Sequence, residues 1–246
     1  MSNFNYLVLS VFCSVFFTSC LIAPVNNYYK EQDIFQHTQD SFVKIETHLV
    51  VGLCTKGTCE TVHTELLSVG SGFFIGEDKT GALVASAAHV CSDERLAHSA
   101  RSFFGIVADK TEIINRAITV GYKTYSLEIV KKDVKSDLCL ARIRGLFGVK
   151  TLEISNRIPE SGEPVYNISA PAGVLHKDAP VMVKGIFSGN DSAFGISVIS
   201  MPVTGGASGS AILDSWGRVI GIVSMKHKDV DYIVYSPNLI TILNFY

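Results

Sequence analysis

The sequence predicts an all-β fold of the sandwich or barrel class. Short runs rich in β-branched and aromatic residues recur along the chain, and turn-forming residues separate them. The sequence shows no internal repeat and no long helical periodicity. The chain has 246 residues, of which 47% are hydrophobic, so it is large enough for one large β domain or for two smaller domains.

The amino-terminal segment is predicted to direct the protein out of the cytoplasm. Residues 6–25 carry no charged side chain, and a helix that spans a bilayer needs about 20 apolar residues. A signal peptide has a shorter apolar core followed by small residues. Residues 17–20 are similar to a bacterial lipobox, although Phe17 stands where leucine is usual. We expect residues 1–25 to be a cleaved signal peptide, a lipoprotein anchor at Cys20 or an uncleaved membrane anchor, so that the protein is exported (periplasmic or extracellular) or membrane-anchored.

The residues that follow, 26–40, are polar and are predicted to form a linker. From Ser41 the β pattern begins, and it continues through a first half that covers residues 41–143. Glycine and proline residues then mark 144–162 as a crossing to a second half. The strands predicted in the first half are 42–51, 60–69, 71–76, 82–87, 103–108, 116–121, 125–131 and 138–143.

The second half covers residues 163–235 and ends in a short helix. Ser236 as the N-cap and Pro237 in the first turn predict this helix over residues 237–244. The strands predicted in the second half are 164–169, 180–187, 194–201, 210–213, 218–225 and 231–235.

Charge and cysteine spacing exclude several functional classes. The net charge of −2 gives no electrostatic case for nucleic-acid binding. Neither a C-x₂-C nor an H-x₃₋₅-H pair occurs, so a zinc site is disfavoured. We expect neither a metal nor a cofactor.

Four cysteines lie outside the amino-terminal segment, which allows two disulfides in an exported chain and three ways of pairing them. Cys54 and Cys59 flank what looks like the tip of a hairpin, and this favours a local bridge. Cys91 and Cys139 are then left to pair with each other. The alternative is four free thiols in a reducing compartment.

The stretch Thr204-Gly-Gly-Ala-Ser-Gly-Ser210 places one hydroxyl, that of Ser208, among small residues and between two apolar runs. Glycines allow a tight loop and close approach of another chain. Taken alone, the stretch is an ordinary turn; Ser208 becomes a candidate nucleophile if a base and an acid lie elsewhere.

His89 is the candidate base, because it ends the apolar run Leu83–Ala88 and begins a turn. Asp137 is the candidate acid that orients the base, because it directly precedes an apolar strand. A carboxylate that is buried there is costly unless it accepts hydrogen bonds. Asp133 is its nearest rival, but the lysines around it indicate a solvated face. The structural alternatives are a half-buried histidine and an aspartate that caps a strand.

The order His89, Asp137, Ser208 is that of chymotrypsin, and here the chain resembles the chymotrypsin-fold, trypsin-like serine peptidases. The form of the serine motif is most similar to bacterial and viral members, including the glutamyl-endopeptidase and HtrA-like groups. The segments that carry the resemblance are Gly70-Ser-Gly-Phe-Phe-Ile75, Ala85-Ser-Ala-Ala-His89-Val, Asp137-Leu-Cys-Leu-Ala-Arg-Ile143, Gly205-Gly-Ala-Ser-Gly-Ser210 and Gly217-Arg-Val-Ile-Gly-Ile-Val-Ser224.

The resemblance implies two antiparallel β-barrels, with residues 41–246 as one peptidase domain and the site between the barrels. It implies a serine endopeptidase that hydrolyses protein or peptide substrates through an acyl-enzyme, with the amides of Gly206 and Ser208 as the oxyanion hole. The bridge between Cys91 and Cys139 would then tie the turn behind the base to the strand behind the acid. The substrate-binding residues implied are Val203, Thr204, Val223, Ser224, Met225 and Lys226.

Two departures from the family pattern bear on activation and specificity. Ala207 stands where many animal digestive members have an aspartate that pairs with a new amino terminus, so we expect no activation of that kind. Val203 and Val223 replace the threonine and histidine of glutamyl-specific members, and Pro202 replaces the trypsin-type aspartate. An apolar P1 residue is therefore expected. The alternative function is a non-catalytic binding or surface protein of the same fold.

Overall fold

The structure is a computed structural model that describes residues 30–55, 58–91, 110–176 and 180–246. The predicted export segment, residues 1–25, the predicted strand 103–108 and part of the predicted linker lie outside the described residues. Within the described ranges, no helix is both long and apolar enough to cross a membrane.

The first half of the chain forms one seven-stranded antiparallel sheet. Its strands follow the order β5-β4-β1-β2-β3-β7-β6 across the sheet. Buried and half-buried side chains alternate along β1, as expected of a strand with one face on a core. The strands are β1 (Phe42–Thr55), β2 (Thr58–Asp78), β3 (Gly81–Ser86), β4 (Lys110–Thr119), β5 (Thr124–Ser126), β6 (Glu128–Asp133) and β7 (Leu138–Arg144).

The second half forms another seven-stranded antiparallel sheet, in the order β12-β11-β8-β9-β10-β14-β13. Strands near the two ends of each sheet touch, β5 with β7 and β12 with β14, which curls the sheets. The prediction of an all-β fold with two antiparallel barrels is confirmed. The strands are β8 (Pro164–Ser169), β9 (Val181–Asp191), β10 (Ile196–Ser200), β11 (Ala211–Leu213), β12 (Val219–Ile222), β13 (Met225–Lys226) and β14 (Ile233–Pro237).

The predicted linker is partly helical. Residues Glu31–Thr38 form helix α1, and a 3₁₀ turn over Gln39–Ser41 leads into β1. The sequence pattern did not indicate this helix because its residues are mostly polar. Its position depends on Ile34, which is fully buried against residues of both sheets.

The carboxy-terminal helix, α2, spans Leu239–Phe245 and so begins later than the predicted 237–244. Pro237 belongs to β14, and Ser236 is buried there, with its Oγ accepting a hydrogen bond from the Ile222 amide at 2.8 Å. Asn238 is the N-cap instead, because its Oδ1 accepts the Thr241 amide at 2.9 Å.

Several strand predictions also differ from the structure. The predicted strand 125–131 is divided into β5 and β6, with Leu127 between them. The predicted strands 60–69 and 71–76 are parts of the single strand β2, since Gly70 does not break it. A Cβ at Gly70 would overlap the side chain of Val90, so the glycine permits close packing there. The predicted strand 218–225 is divided into β12 and β13, with Val223 and Ser224 between them.

One apolar cluster joins the two barrels. It contains Phe42 and Phe73 from the first sheet, Ile168 and Leu213 from the second, and residues of both helices. Each barrel also has its own core. Because burial of apolar surface holds the two sheets together, side chains at the junction are fixed with respect to each other.

Candidate functional site

His89 lies just beyond the end of β3, at the junction of the barrels. The amides of Val90 and Cys91 both donate to the carbonyl of Ala87, at 3.1 and 3.2 Å, and so close a turn around the histidine. Ala87 and Ala88 are buried, whereas the His89 side chain is 48% exposed. The turn therefore anchors the backbone and leaves the imidazole accessible.

Asp137 lies between β6 and β7 and faces this turn. Its carbonyl accepts the Ala88 amide at 3.1 Å, and its Oδ1 accepts the His89 amide at 3.0 Å. The Nδ1 of His89 lies 2.9 Å from Oδ2 and 3.0 Å from Oδ1. Asp137 adopts the left-handed conformation, with φ of 53°. Backbone and side-chain contacts together fix the imidazole against the carboxylate and leave Nε2 free for another partner.

Ser224, between β12 and β13, adds a further contact to the carboxylate. Its Oγ donates to Oδ2 of Asp137 at 2.5 Å. Burial opposes the negative charge, but the hydrogen bonds from His89 and Ser224 outweigh it and hold the pKa of Asp137 below its usual range. The sequence had predicted Ser224 as a substrate-binding residue and had not indicated this contact.

Replacing Ser224 by alanine is expected to raise the pKa of Asp137, because it removes a hydrogen bond to the charged form. In the native protein the lowered pKa contributes stability that is present above the unfolded value and is lost as the pH falls through the folded value. A ¹³C NMR titration of the Asp137 carboxyl measures both pKa values. An equal pKa in Ser224→Ala and in the native protein would contradict this account.

The rival carboxylate, Asp133, does not take part in this arrangement. Its Oδ1 accepts the Lys135 amide at 2.9 Å, within the turn between β6 and β7. Hydrogen bonding from Ser136 is the main reason that the pKa of Asp133 is lowered. These contacts are those of a turn aspartate.

Both disulfides favoured by the sequence are present, Cys54–Cys59 and Cys91–Cys139. The first joins β1 to β2 at the hairpin tip, where the two cysteines are paired in register. The second joins the turn after His89 to the strand after Asp137, and both of its cysteines are buried. It therefore ties together the two backbone segments that carry the histidine and the aspartate.

The loop that carries Ser208 packs against the same junction. The carbonyl of Ser208 accepts the Ser71 amide at 2.8 Å, and the amide of Gly209 donates to the carbonyl of Val223 at 2.7 Å. A Cβ at Gly209, where φ is 85°, would overlap the Ser71 carbonyl and the Ser86 hydroxyl. The loop thus lies against the interior of β2 and the end of β3. Between the described atoms of Ser208 and His89 there is no direct hydrogen bond, as is common in substrate-free sites.

The amides predicted as an oxyanion hole, those of Gly206 and Ser208, have no hydrogen-bond acceptor among the described residues. The carbonyl of Gly205 accepts the Ala172 amide at 2.5 Å and so points toward the 3₁₀ turn Pro171–Gly173. Gly206 has φ of 92°, a conformation that favours glycine. Both amides are therefore available to a bound acceptor.

The predicted substrate-binding residues divide into a buried and an exposed group. Val223 is buried, and Val203 packs against the core of the second barrel. Thr204 and Met225 are exposed, and so is Lys226, whose Nζ lies 2.6 Å from Oδ1 of Asp231. The carboxylate of Asp231 therefore partly neutralises the positive charge that Lys226 would present to a ligand.

A cavity of about 470 Å³ adjoins the histidine and the aspartate. Its walls come from the turn between β6 and β7 and from β13, and they include the exposed apolar side chains Val134 and Met225. Lys132 and Lys135 also line it, and Nζ of Lys132 donates to the carbonyl of Cys91 at 2.7 Å. An elongated chain could lie here beside His89.

Several buried polar residues around the serine loop were not predicted. Ser71 donates its Oγ to the Gly206 carbonyl at 2.7 Å and accepts the Ala170 amide at 3.1 Å, which links the two barrels. Asn167 and Ser210 form a further buried hydrogen bond, within the second barrel. Asn167 within the apolar strand Val165–Ile168 was a usable signal, because a polar side chain on a buried strand needs hydrogen-bond partners.

The chain is similar to known proteins in sequence and in fold. The family described as "Trypsin-like peptidase domain" matches residues 70–222. "Uncharacterized protein y4bJ" of Sinorhizobium fredii (strain NBRC 101917 / NGR234) is 34% identical over 103 residues, which are 40% of this chain and 16% of that protein. This chain thus spans about a sixth of the length of that curated relative.

The crystal structure of the serine endoprotease from Yersinia pestis superposes with a TM-score of 0.63 at 16% sequence identity. The match covers 88% of this chain and 65% of that one. At this identity the likeness concerns the fold, and it agrees with the two-barrel architecture described above.

Proposed function

Because the chain belongs to the family of trypsin-like peptidase domains, we propose that it is a serine endopeptidase. In this proposal Ser208 is the nucleophile, His89 is the general base and Asp137 orients the histidine. The observation that carries the proposal is the contact of Nδ1 of His89 with both carboxylate oxygens of Asp137, next to the serine loop.

The first step is attack of Ser208 Oγ on the scissile carbonyl carbon while Nε2 of His89 takes the hydroxyl proton. Asp137 remains ionised and stabilises the imidazolium, which agrees with its lowered pKa. The C–N bond then breaks as His89 returns the proton to the leaving amine, and an ester of Ser208 remains. Water hydrolyses this ester by the same proton transfers in reverse.

The negative charge that forms on the carbonyl oxygen needs donors in fixed positions. The amides of Gly206 and Ser208 meet this need, because neither is used by another described residue. Loss of one such donor typically raises the barrier by about 2.7–4 kcal/mol.

Substrate backbone would be bound by strand addition at β13. This strand lies at the end of its sheet, and it pairs with β14 on one side. The unpaired edge offers main-chain groups to an extended peptide. The cavity beside His89 lies along this edge, since Met225 of β13 lines it.

We expect a small or medium apolar P1 residue. Val203 packs against the core of the second barrel next to the serine loop, Val223 is buried in that core, and Lys226 is engaged by Asp231. An apolar wall would leave a charged P1 side chain unpaired, which is unfavourable. Cleavage of a peptide library randomised at P1 measures the preference. A clear preference for Arg or Lys would exclude an apolar pocket.

We also propose that the protein works in an oxidising, exported environment. The two disulfides, one of them fully buried, are typical of such compartments. Mass spectrometry of alkylated protein from the native host tests this: free thiols at Cys91 and Cys139 would contradict it.

Reaction with a fluorophosphonate probe, together with peptide hydrolysis, tests the enzymatic proposal. The folded protein is expected to hydrolyse peptides and to be labelled at Ser208, with labelling blocked by prior unfolding. A folded protein that does neither would instead be a non-catalytic binding module of the same fold.

A further inference from the structure

Behind the serine loop lies a buried pair of polar side chains, Asn167 of β8 and Ser210, which immediately precedes β11. Neither is exposed to solvent. Nδ2 of Asn167 lies 2.7 Å from Oγ of Ser210, and this Oγ lies 2.5 Å from the carbonyl oxygen of Ala207. The pair therefore connects the wall of the second barrel to the residue before Ser208.

The direction of these hydrogen bonds is determined by their partners. Nδ2 of Asn167 also lies 2.8 Å from the carbonyl of Ala211, which can only accept. The amide group of Asn167 must therefore present its nitrogen on this side, and Ser210 Oγ accepts from it. The hydroxyl proton of Ser210 is then directed to the Ala207 carbonyl.

The Ala207 carbonyl belongs to the same peptide unit as the Ser208 amide. In a planar trans peptide the C=O and N–H bonds point in opposite directions. A carbonyl held on the inner side by Ser210 therefore turns the Ser208 N–H outward, where no described residue accepts it. The Ser210 amide, at 3.1 Å, donates to the same carbonyl.

The other outward amide is held by an independent contact. The carbonyl of Gly205, in the same peptide unit as the Gly206 N–H, accepts the Ala172 amide at 2.5 Å. A main-chain hydrogen bond thus orients the Gly206 amide, whereas the side chains of Asn167 and Ser210 contribute to the orientation of the Ser208 amide. Ala207 has no polar side-chain atom with which to hold the loop.

The Asn167 side chain is not what a stable core alone would favour. Its Oδ1 is buried and has no partner among the described residues, and an unpaired buried oxygen is destabilising. An apolar side chain would fit the strand without this cost. The residue is accounted for if its N–H groups have a role in the loop.

We propose that Asn167 and Ser210 are positioning residues that orient the Ser208 amide toward the oxyanion of the tetrahedral intermediate. This inference rests on the proposed peptidase function. A chain of hydrogen bonds that ends on a carbonyl also polarises the N–H of the same peptide, so the donor is strengthened as well as aimed.

The test compares Ser210→Ala with Ser197→Ala. Ser197 is a matched control: it is a buried serine of the same barrel, and its Oγ donates to Oδ1 of Asn190 at 2.7 Å, away from the serine loop. Ser210→Ala is expected to lower kcat about 10-fold with KM nearly unchanged, less than the loss of a whole donor because the Ser210 amide still holds the carbonyl. Affinity for a peptide boronate should fall by a similar factor, and the pH profile should not move.

Asn167→Leu supplies a second variant in case Ser210→Ala does not fold. It should also lower kcat, and adding it to Ser210→Ala should cause no further loss, because Asn167 acts through Ser210. Equal kcat in Ser210→Ala, Ser197→Ala and the native protein would overturn the proposal. A rise in KM with kcat unchanged would also overturn the proposal, and so would a shifted pH profile.

Amide NMR of the substrate-free protein separates this inference from the peptidase proposal. The Ser208 amide resonance should shift in Ser210→Ala and Asn167→Leu, whereas the Gly206 resonance should stay in place. If the native protein hydrolyses no peptide but these shifts occur, the peptidase proposal fails and the positioning contact stands. An unmoved Ser208 resonance overturns the positioning contact whatever the activity.

Discussion

Replacing Ser208 by alanine is expected to lower kcat for peptide hydrolysis by a factor on the order of 10⁵ to 10⁶. The substitution removes the nucleophile but leaves the two amides and the substrate cleft, so KM should change little. His89→Ala should have an effect of similar size, because the hydroxyl is a poor nucleophile without a base. Steady-state kinetics on the best library peptide measures both losses.

Ser197→Ala is again the control, since it removes a buried hydroxyl that bonds Asn190 rather than a residue of the serine loop. It should keep native kcat and fluorophosphonate labelling, whereas Ser208→Ala should lose labelling completely. Residual activity in Ser208→Ala above a few per cent of the native value would show that another residue, or a contaminating peptidase, carries the hydrolysis.

Removing the Cys91–Cys139 disulfide by a double alanine substitution should cause the largest loss of stability. The bridge closes a loop with a sequence separation of 48, for which the chain-entropy relation gives about 4 kcal/mol in the free energy of unfolding. Activity should also fall at temperatures where the variant is folded, because only hydrogen bonds, and no covalent bridge, then hold the turn of His89 against Asp137 and the strand that follows it. Denaturant unfolding and kcat/KM measure the two effects.

The Cys54–Cys59 disulfide provides the comparison within the same chain. Its sequence separation is 5, so the same relation gives about 2 kcal/mol. It lies at the tip of the β1–β2 hairpin, where Leu53 and Val62 are exposed, and its removal should leave kcat/KM unchanged. Equal losses of activity in the two double variants would show that the effect of Cys91–Cys139 is general destabilisation.

The strands were predictable because their signals are local. Alternation of buried and half-buried residues along β1, and glycine at the turns, depend on neighbours in sequence. The bridge between Cys54 and Cys59 was favoured for the same reason, since both belong to one hairpin. Helix α1 was missed because it depends on Ile34, which is buried against residues distant in sequence.

The contacts that refine the candidate site could not be predicted in this way. Ser224 and Asp137 are 87 residues apart, and Asn167 and Ser210 are 43 apart. Asn167 and Ser210 meet only when the second sheet has formed, and Ser224 meets Asp137 only when the two sheets have packed together. The contact of Ser224 with the carboxylate therefore produces no local pattern in the sequence. Asn167 does produce a partial local signal, because it is a polar residue in an apolar strand.

By itself, the sequence determined the β class of the fold and the order in which His89, Asp137 and Ser208 occur. Those features depend on residue type and spacing along the chain. Only the tertiary structure decided that His89 lies against Asp137, that Ser224 lowers the pKa of that aspartate, and that the amides near Ser208 have no other partner. The physical reason is that burial and hydrogen bonding are properties of groups brought together across two sheets, and the packing of those sheets sets their distances.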